Sequence, residues 1–317
     1  MQYEEPKVYA VKHKNLDIRM SSRSGGIFTA LSDLILSQGG VIYGCVLDEE
    51  FQALHIRADS AEKRNAMRCS KYIQSDLRDT FNEAKRDLDS GIKVLFSGTS
   101  CQITGFKTFL GKDYDNLTCV DIVCHGVPSN LVWSEYIKWQ EKNNHGKCTE
   151  AAFRNKKDYG WNSHVETLRI GNKVVNSRIY AELFCNHNIL RPSCFKCPYK
   201  NILHPADITI ADYWGIDKAA PGFNDNKGVS LVLINNDKGY NFFQYIVDDI
   251  DNRECRIEDS LQPPLQGNYD VPGAREKFWK DFYKYPFGIV VSKYYKNGML
   301  FKLNRIVKMA KYKIFKR

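Results

Sequence analysis

The alternation at residues 7–12 (KVYAVK) predicts a strand, and the Ser/Gly turn SSRSGG at 21–26 leads into IFTALSDLILSQ, whose apolar positions recur at helical spacing. After a Gly pair, the apolar run VIYGCVLD predicts a buried strand and FQALHIRA a second one that pairs with it. A helix is expected from Asp79 to Leu88, stopping near Gly91. KVLFSG then reads as a strand running through GTSC into the helix QITGFKTFL. LTCVDIVC is another buried strand, closed by HGVPS and followed by a Trp-rich helix from Leu131 to Lys142. Strand, turn, helix, strand is an α/β rhythm with parallel pairs, so the fold class is α/β with mixed α+β elements.

Residues 150–175 read as strands, with AFRNKK, HVETLRI and NKVVNS separated by turn residues. Tyr180 to Ile189 is expected to be helical. The cysteine loop RPSCFKCPYK, the strands DITIA and SLVLI, a helix near Tyr240 to Ile250 and the Pro/Gly-rich QPPLQGNYDVPG complete the body. This gives residues 1–95 as the N-terminal part of the core, 96–290 as its C-terminal part carrying most of the cysteines, and 293–317 as a basic tail.

Charge sharpens that division. The chain has 46 Lys plus Arg against 37 Asp plus Glu, and nine of the basic residues with none of the acidic ones lie between Lys293 and Arg317. The body is therefore neutral, which argues against a nucleic-acid-binding face on it. No apolar run reaches the roughly 18 residues of a membrane span, and the start MQYEEPKVYAVKHKN has no signal-peptide core, so a cytoplasmic location is expected. In a reducing cytosol, ten cysteines read as free thiols, metal ligands or reactive groups rather than as a disulfide framework.

The strongest local signal is CFKCP, Cys194 to Pro198, because two thiolates three positions apart in a turn can grip one metal or cluster. Two ligands complete neither a tetrahedral zinc site nor a cubane cluster. Cys101 in GTSCQ and Cys124 in VCHGVPS are the candidate partners, since each sits where a predicted strand gives way to a loop, the end at which α/β sites collect. Cys101 has a rival reading as a nucleophile activated by helix amides, for which the sequence names no obvious base, His125 being one that could serve. Cys45 and Cys119 read as small buried hydrophobes, and Cys69, Cys148, Cys185 and Cys255 have no partner at ligand spacing. SSRSGG before a helix has the form of an anion cradle, although Ser/Gly caps occur without any ligand. CSKYIQS, Cys69 to Ser75, suits a phosphate, a ribityl chain or a stacked ring, or simply a strand edge. Asp207 and Asp212 mark the ends of the strand in DITIADYWG, where capping and function are equally open.

Taken in order, SSRSGGIFTAL, CSKYIQS, LFSGTSCQITGFKTFLG, VDIVCHGVPS, RPSCFKCP and DITIADYWG resemble the beta-subunit family of coenzyme F420 hydrogenase and dehydrogenase, over Pro6 to Ile250. The resemblance implies a flavin-binding core with an inserted iron-sulfur cysteine loop. It implies that Cys101, Cys124, Cys194 and Cys197 hold one [4Fe-4S] cluster. It implies FAD lined by Ser24, Gly25, Gly26, Lys71, Tyr72 and Gln74. The function it implies is an oxidoreductase subunit moving electrons between a separate redox protein, such as a ferredoxin, and a small substrate or deazaflavin-like coenzyme. No motif identifies coenzyme F420 itself as that substrate. Three departures stand out: no cysteine precedes Cys45, so a built-in ferredoxin segment is not expected, and Cys69 and Ser100 replace the usual Gly and Pro. Two other classes stay in view, a zinc-stabilised interaction protein and a transferase using Cys101.

In the tail, Leu300, Leu303, Val307, Ala310 and Ile314 follow a 3, 4, 3, 4 spacing flanked by Lys and Arg. This stripe suits either packing on the body or a partner subunit, or peripheral contact with the inner face of a membrane.

Overall fold

The computed structural model describes residues 2–315, with side chains through residue 307. Met1, Lys316, Arg317 and the side chains of tail residues 308–315 lie outside the described residues, and with them Ala310 and Ile314 of the apolar stripe. The described strands are β1 (Gln2–His13), β2 (Val41–Leu47), β3 (Ala53–Ala58), β4 (Val94–Thr99), β5 (Leu117–Ile122), β6 (Cys148–Ala152), β7 (Glu166–Ile170), β8 (Lys173–Ser177), β9 (Ile208–Asp212), β10 (Ser230–Asn236) and β11 (Ile250–Cys255). The chain divides into two compact units. The first takes residues 1–126, 154–163 and 196–268, and the second takes 127–153, 164–195 and 269–317.

The first unit holds an eight-stranded sheet in the order β11, β1, β10, β9, β5, β4, β2, β3. Its centre is parallel, with β2 beside β4, β4 beside β5 and β5 beside β9. Strands β3, β10, β1 and β11 complete it through antiparallel pairs. Side chains alternate across the pleat, and each face buries its own set. Ile42, Leu95, Val120 and Ile208 meet Ile27, Leu31 and Ile35 of the helix Ile27–Ser37. On the opposite face, Tyr43, Phe96 and Cys119 meet Ala84 and Leu88 of the helix Thr80–Asp89 and Ile103 and Phe106 of the helix Ser100–Leu110. Helices on both faces of a largely parallel centre are what the α/β rhythm predicts.

Local departures have local causes. AFRNKK is not one strand: β6 ends at Ala152, and Lys156–Tyr159 forms a helical turn capped by Asn155. The helix expected from Tyr240 to Ile250 is instead Asp237–Gln244, and Ile250 opens β11. The sequence of β11, IDNREC, is polar because it is an edge strand with one buried residue, Ile250, so periodicity cannot find it.

His55 on β3 is buried and stacks on Phe96, with Nε2 2.9 Å from the Ser97 carbonyl oxygen and Nδ1 without a hydrogen-bond partner. Burial pushes its pKa down to about 4. The unfolded chain therefore binds more protons than the native one between roughly pH 6.5 and 4. Stability should fall as the pH drops through that window. His55→Phe should flatten this part of the melting temperature against pH; an unchanged slope would show that another group titrates there.

The second unit contains the three-stranded antiparallel sheet β6, β7, β8 and the helix Asn130–Asn144. Trp133, Phe153 and Tyr180 form an aromatic core, with ring centroids 4.3 and 4.8 Å from Trp133. Glu166 is buried beside it and accepts from Tyr136 Oη at 3.2 Å and the Tyr180 amide at 3.0 Å.

Candidate functional site

The two motifs read as a flavin cradle meet in the first unit. Arg68 donates to Ser21 Oγ at 2.8 Å and to Thr29 Oγ1 at 3.0 Å, and the Cys69 thiol lies 3.6 Å from the Ser21 carbonyl oxygen. Cys69 has φ 67°, the left-handed region that glycine enters without cost.

Within the cradle the residues divide. Ser24 donates to the Val229 carbonyl at 2.5 Å, and the Gly25 amide donates to Ser230 Oγ at 2.9 Å, so both fasten the turn to β10. Gly26, at φ 93°, is the N-cap of the helix Ile27–Ser37. Lys71 folds back to donate to the Ala66 and Arg68 carbonyls at 2.9 and 2.7 Å, and burial pulls its pKa down. Tyr72 hydrogen-bonds Arg154, whose guanidinium lies 5.5 Å from the Trp214 ring centroid. Gln74 is exposed.

The residues that do most to define this region come from segments far apart in sequence. Arg23, inside SSRSGG, is buried; Nε reaches Asp212 Oδ2 at 3.2 Å and Nη2 donates to the Trp161 carbonyl at 2.8 Å. Its remaining nitrogen, Nη1, is buried with no hydrogen-bond partner. Asp212 also accepts from Trp161 Nε1 at 2.8 Å, and Trp161 stacks on Trp214 with centroids 5.1 Å apart. One of the two aspartates of DITIADYWG therefore orients an arginine. The other, Asp207, accepts from the Cys119 amide at 2.7 Å and Asn236 Nδ2 at 2.9 Å and serves the sheet.

Lys156 donates to the carbonyls of Arg19, Ser24 and Lys227, and burial lowers its pKa to about 8. Arg23, Arg19, Asp212 and the Cys69 thiol are its neighbours. Arg19 is paired with Asp225 and Arg23 with Asp212. Arg68, Lys71, Arg154 and Lys156 have no carboxylate at salt-bridge distance among the described residues. The region carries surplus positive charge in partly buried surroundings, where an anion is attracted most strongly. Of these cations only Lys71 is among the residues the family resemblance assigns to the cradle, and Arg23 lies inside SSRSGG without being marked by it.

The four candidate ligand cysteines lie in separate segments of the fold. Cys101 is exposed in the first turn of the helix Ser100–Leu110, with its sulfur 3.1 Å from Thr99 Oγ1. Cys124 is half-buried just beyond β5, and Cys197 is half-buried with its amide donating to Asn268 Oδ1 at 2.9 Å. These three belong to the first unit and Cys194 to the second. The Cys194 sulfur accepts from the Val127 amide at 3.4 Å. Among the described residues no three of His, Cys, Asp and Glu are drawn together as ligands of a single metal ion. His125, the base offered to Cys101, gives its carbonyl oxygen to Lys200 Nζ at 2.9 Å.

Beneath the Cys101 turn lies a buried polar group. His204 Nδ1 is 2.9 Å from Asp121 Oδ2 and 3.1 Å from Ser100 Oγ. These are the residue types of a hydrolase triad without its geometry, since serine and aspartate share one ring nitrogen. They hold the start of the helix on β5.

The family model for the C terminus of the coenzyme F420 hydrogenase/dehydrogenase beta subunit matches residues 91–259. The chain belongs to this family. Hydrogenase and dehydrogenase subunits are components of oxidoreductases. No curated protein matches the chain. Among solved structures, it is similar in fold to a chain of the F420-reducing [NiFe] hydrogenase complex from Methanosarcina barkeri, with a TM-score of 0.54 and 18% identity over 80% of this chain and 84% of that one. In this member of the F420 hydrogenase/dehydrogenase beta-subunit family, the matched span contains all four candidate cluster cysteines, Arg154, Lys156 and Asp212. Ser24, Gly25, Gly26, Lys71, Tyr72 and Gln74 precede it.

Proposed function

We propose that this protein is an FAD- and [4Fe-4S]-dependent electron-transfer subunit that exchanges electrons between a separate redox protein, such as a ferredoxin or a companion subunit, and a small substrate. The observation that carries the flavin half is the buried, unpartnered Arg23 Nη1 beside the unpaired cations Arg154 and Lys156. A dinucleotide brings a pyrophosphate, which supplies negative charge for these cations and an acceptor oxygen for Arg23 Nη1. Tyr72 and Trp214 add aromatic faces next to those cations, which suits a ring system. Ser24, Gly25 and Gly26 then shape the turn, and Lys71 and Tyr72 line it. Gln74 belongs to the same proposed set.

For the cluster, the proposed ligands are the four thiolates of Cys101, Cys124, Cys194 and Cys197. Cys101 would reach the cluster from the helix start and Cys194 while accepting from the Val127 amide at 3.4 Å, an amide-to-sulfur contact of the kind that tunes a cluster's potential. A cluster passes electrons singly and a flavin in ones or twos, which is the chemistry the two groups supply together. The chain's own work is to hold the cations and thiols in place and to limit water. The deazaflavin coenzyme is one candidate substrate class and has no residue assigned to it. The same reading places the protein in the cytoplasm, peripheral at the inner face of the membrane through residues 293–317.

FAD titrated into flavin-free protein should quench tryptophan fluorescence through Trp161 and Trp214, and riboflavin, which lacks the pyrophosphate, should bind far more weakly. Arg23→Gln should weaken FAD by about tenfold or more, the value of a charge-assisted hydrogen bond, and leave riboflavin unchanged. Equal binding of FAD and riboflavin would remove the pyrophosphate from the site.

A further inference from the structure

The helix Met299–Phe315 leaves an apolar face uncovered in the second unit. Met299, Leu303, Ile306 and Val307 are 69, 50, 62 and 53% exposed. At 100° per residue they fall on one stripe, and the sequence continues it at Ala310 and Ile314. The helix is tied to the fold at its start. Lys302 donates its amide to the Gly298 carbonyl at 3.1 Å, and Asp281 holds Lys293 Nζ at 3.2 Å and Tyr294 Oη at 2.8 Å.

Lys293 is thus already neutralised by the fold. Lys302 and Arg305 are exposed and have no ion pair among the described residues. The segment from 293 to 317 contains no carboxylate side chain of its own. A helix of 17 residues is about 25 Å long at 1.5 Å per residue, but its repeated Lys and Arg forbid it to cross a bilayer, and no described helix is long and apolar enough to do so. A nucleic acid would answer the charge and leave the apolar stripe in water. A second copy of the chain would answer the stripe and bring its own tail charges against these. An anionic bilayer surface answers both, with headgroups for the cations and acyl chains for the stripe.

We infer that Met299, Leu303, Ile306 and Val307 are the insertion face of an interfacial helix that selects anionic phospholipid, with Lys302 and Arg305 contacting the headgroups. This rests on the membrane contact proposed above and supplies its chemistry.

Sedimentation of the full chain with vesicles tests it. Protein should pellet with vesicles of three parts phosphatidylcholine to one part phosphatidylglycerol, and stay in solution with phosphatidylcholine alone. Lys302→Gln with Arg305→Gln should reduce the partition by about thirtyfold, two cations at ~1 kcal/mol each. Leu303→Ser with Val307→Ser should abolish pelleting at equal charge. Wild-type protein that pellets equally with both vesicle types or with neither, or that is displaced by an RNA oligonucleotide, overturns the inference. So does a dimer in light scattering that the Leu303 and Val307 changes dissociate. Flavin and iron content, read on the same samples, should not change in these variants. Their absence from wild-type protein that pellets normally would defeat the redox proposal and leave this one standing.

Discussion

Replacing Cys197 by serine is expected to leave the protein with almost no bound iron or sulfide and without the broad visible absorption of a cluster. Serine keeps the size and removes the soft thiolate, and the cluster depends on all four ligands. The same loss is expected for Cys101→Ser. Cys119→Ser is the control, because that thiol is buried in the core of the sheet among Phe96 and Ile103, and burial pushes its pKa far up, so it stays a protonated packing group. Iron retained in Cys197→Ser but lost in Cys119→Ser would reverse the assignment. The pair also separates the proposed reading from a Cys101 transferase, whose activity would survive without iron.

Gly25→Ala should cost more stability than any other single methyl added to the chain's motifs. A Cβ there would stand 2.1 Å from the Val11 carbonyl oxygen and 2.6 Å from the Ser230 amide nitrogen, both backbone atoms of neighbouring strands. Neither can step aside without parting β1 from β10, so the change costs about 3 kcal/mol or more. A drop of about 5–10 °C in melting temperature should accompany it. Gly105→Ala is the contrast: its nearest neighbours are carbons of Phe81 at 3.9 Å, so the methyl fits and the helix gains about 0.5–1 kcal/mol. If Gly25→Ala melted like the wild type and only bound flavin less well, the glycine would serve the ligand alone. The contacts instead make it a packing residue first, on which the neighbouring arginine depends.

That distinction marks what could be read in the sequence. The hairpin of β2 and β3, the strand-to-helix turn at Cys101 and the parallel centre were legible because buried strands are apolar along their length and their turns are punctuated by glycine and serine. SSRSGG and CSKYIQS were legible as a pair only through the family resemblance, and the structure brings them into contact through Arg68 and Cys69. Arg154 and Lys156 were hidden, because AFRNKK reads as one strand but bends after Ala152 and starts a helical turn at Lys156. Asp212 was seen, but its partner Arg23 lies 189 positions away, a pairing that one sequence cannot show. The second unit was hidden for the same reason, since three separated stretches of chain supply it.

The central claim is that one chain carries a flavin and a four-iron cluster, and an anaerobic purification tests it directly. Iron, acid-labile sulfide and releasable FAD measured on that wild-type protein should come to about four, four and one per chain, the content of one cubane and one dinucleotide. Colourless protein with one zinc per chain and no flavin would contradict the account.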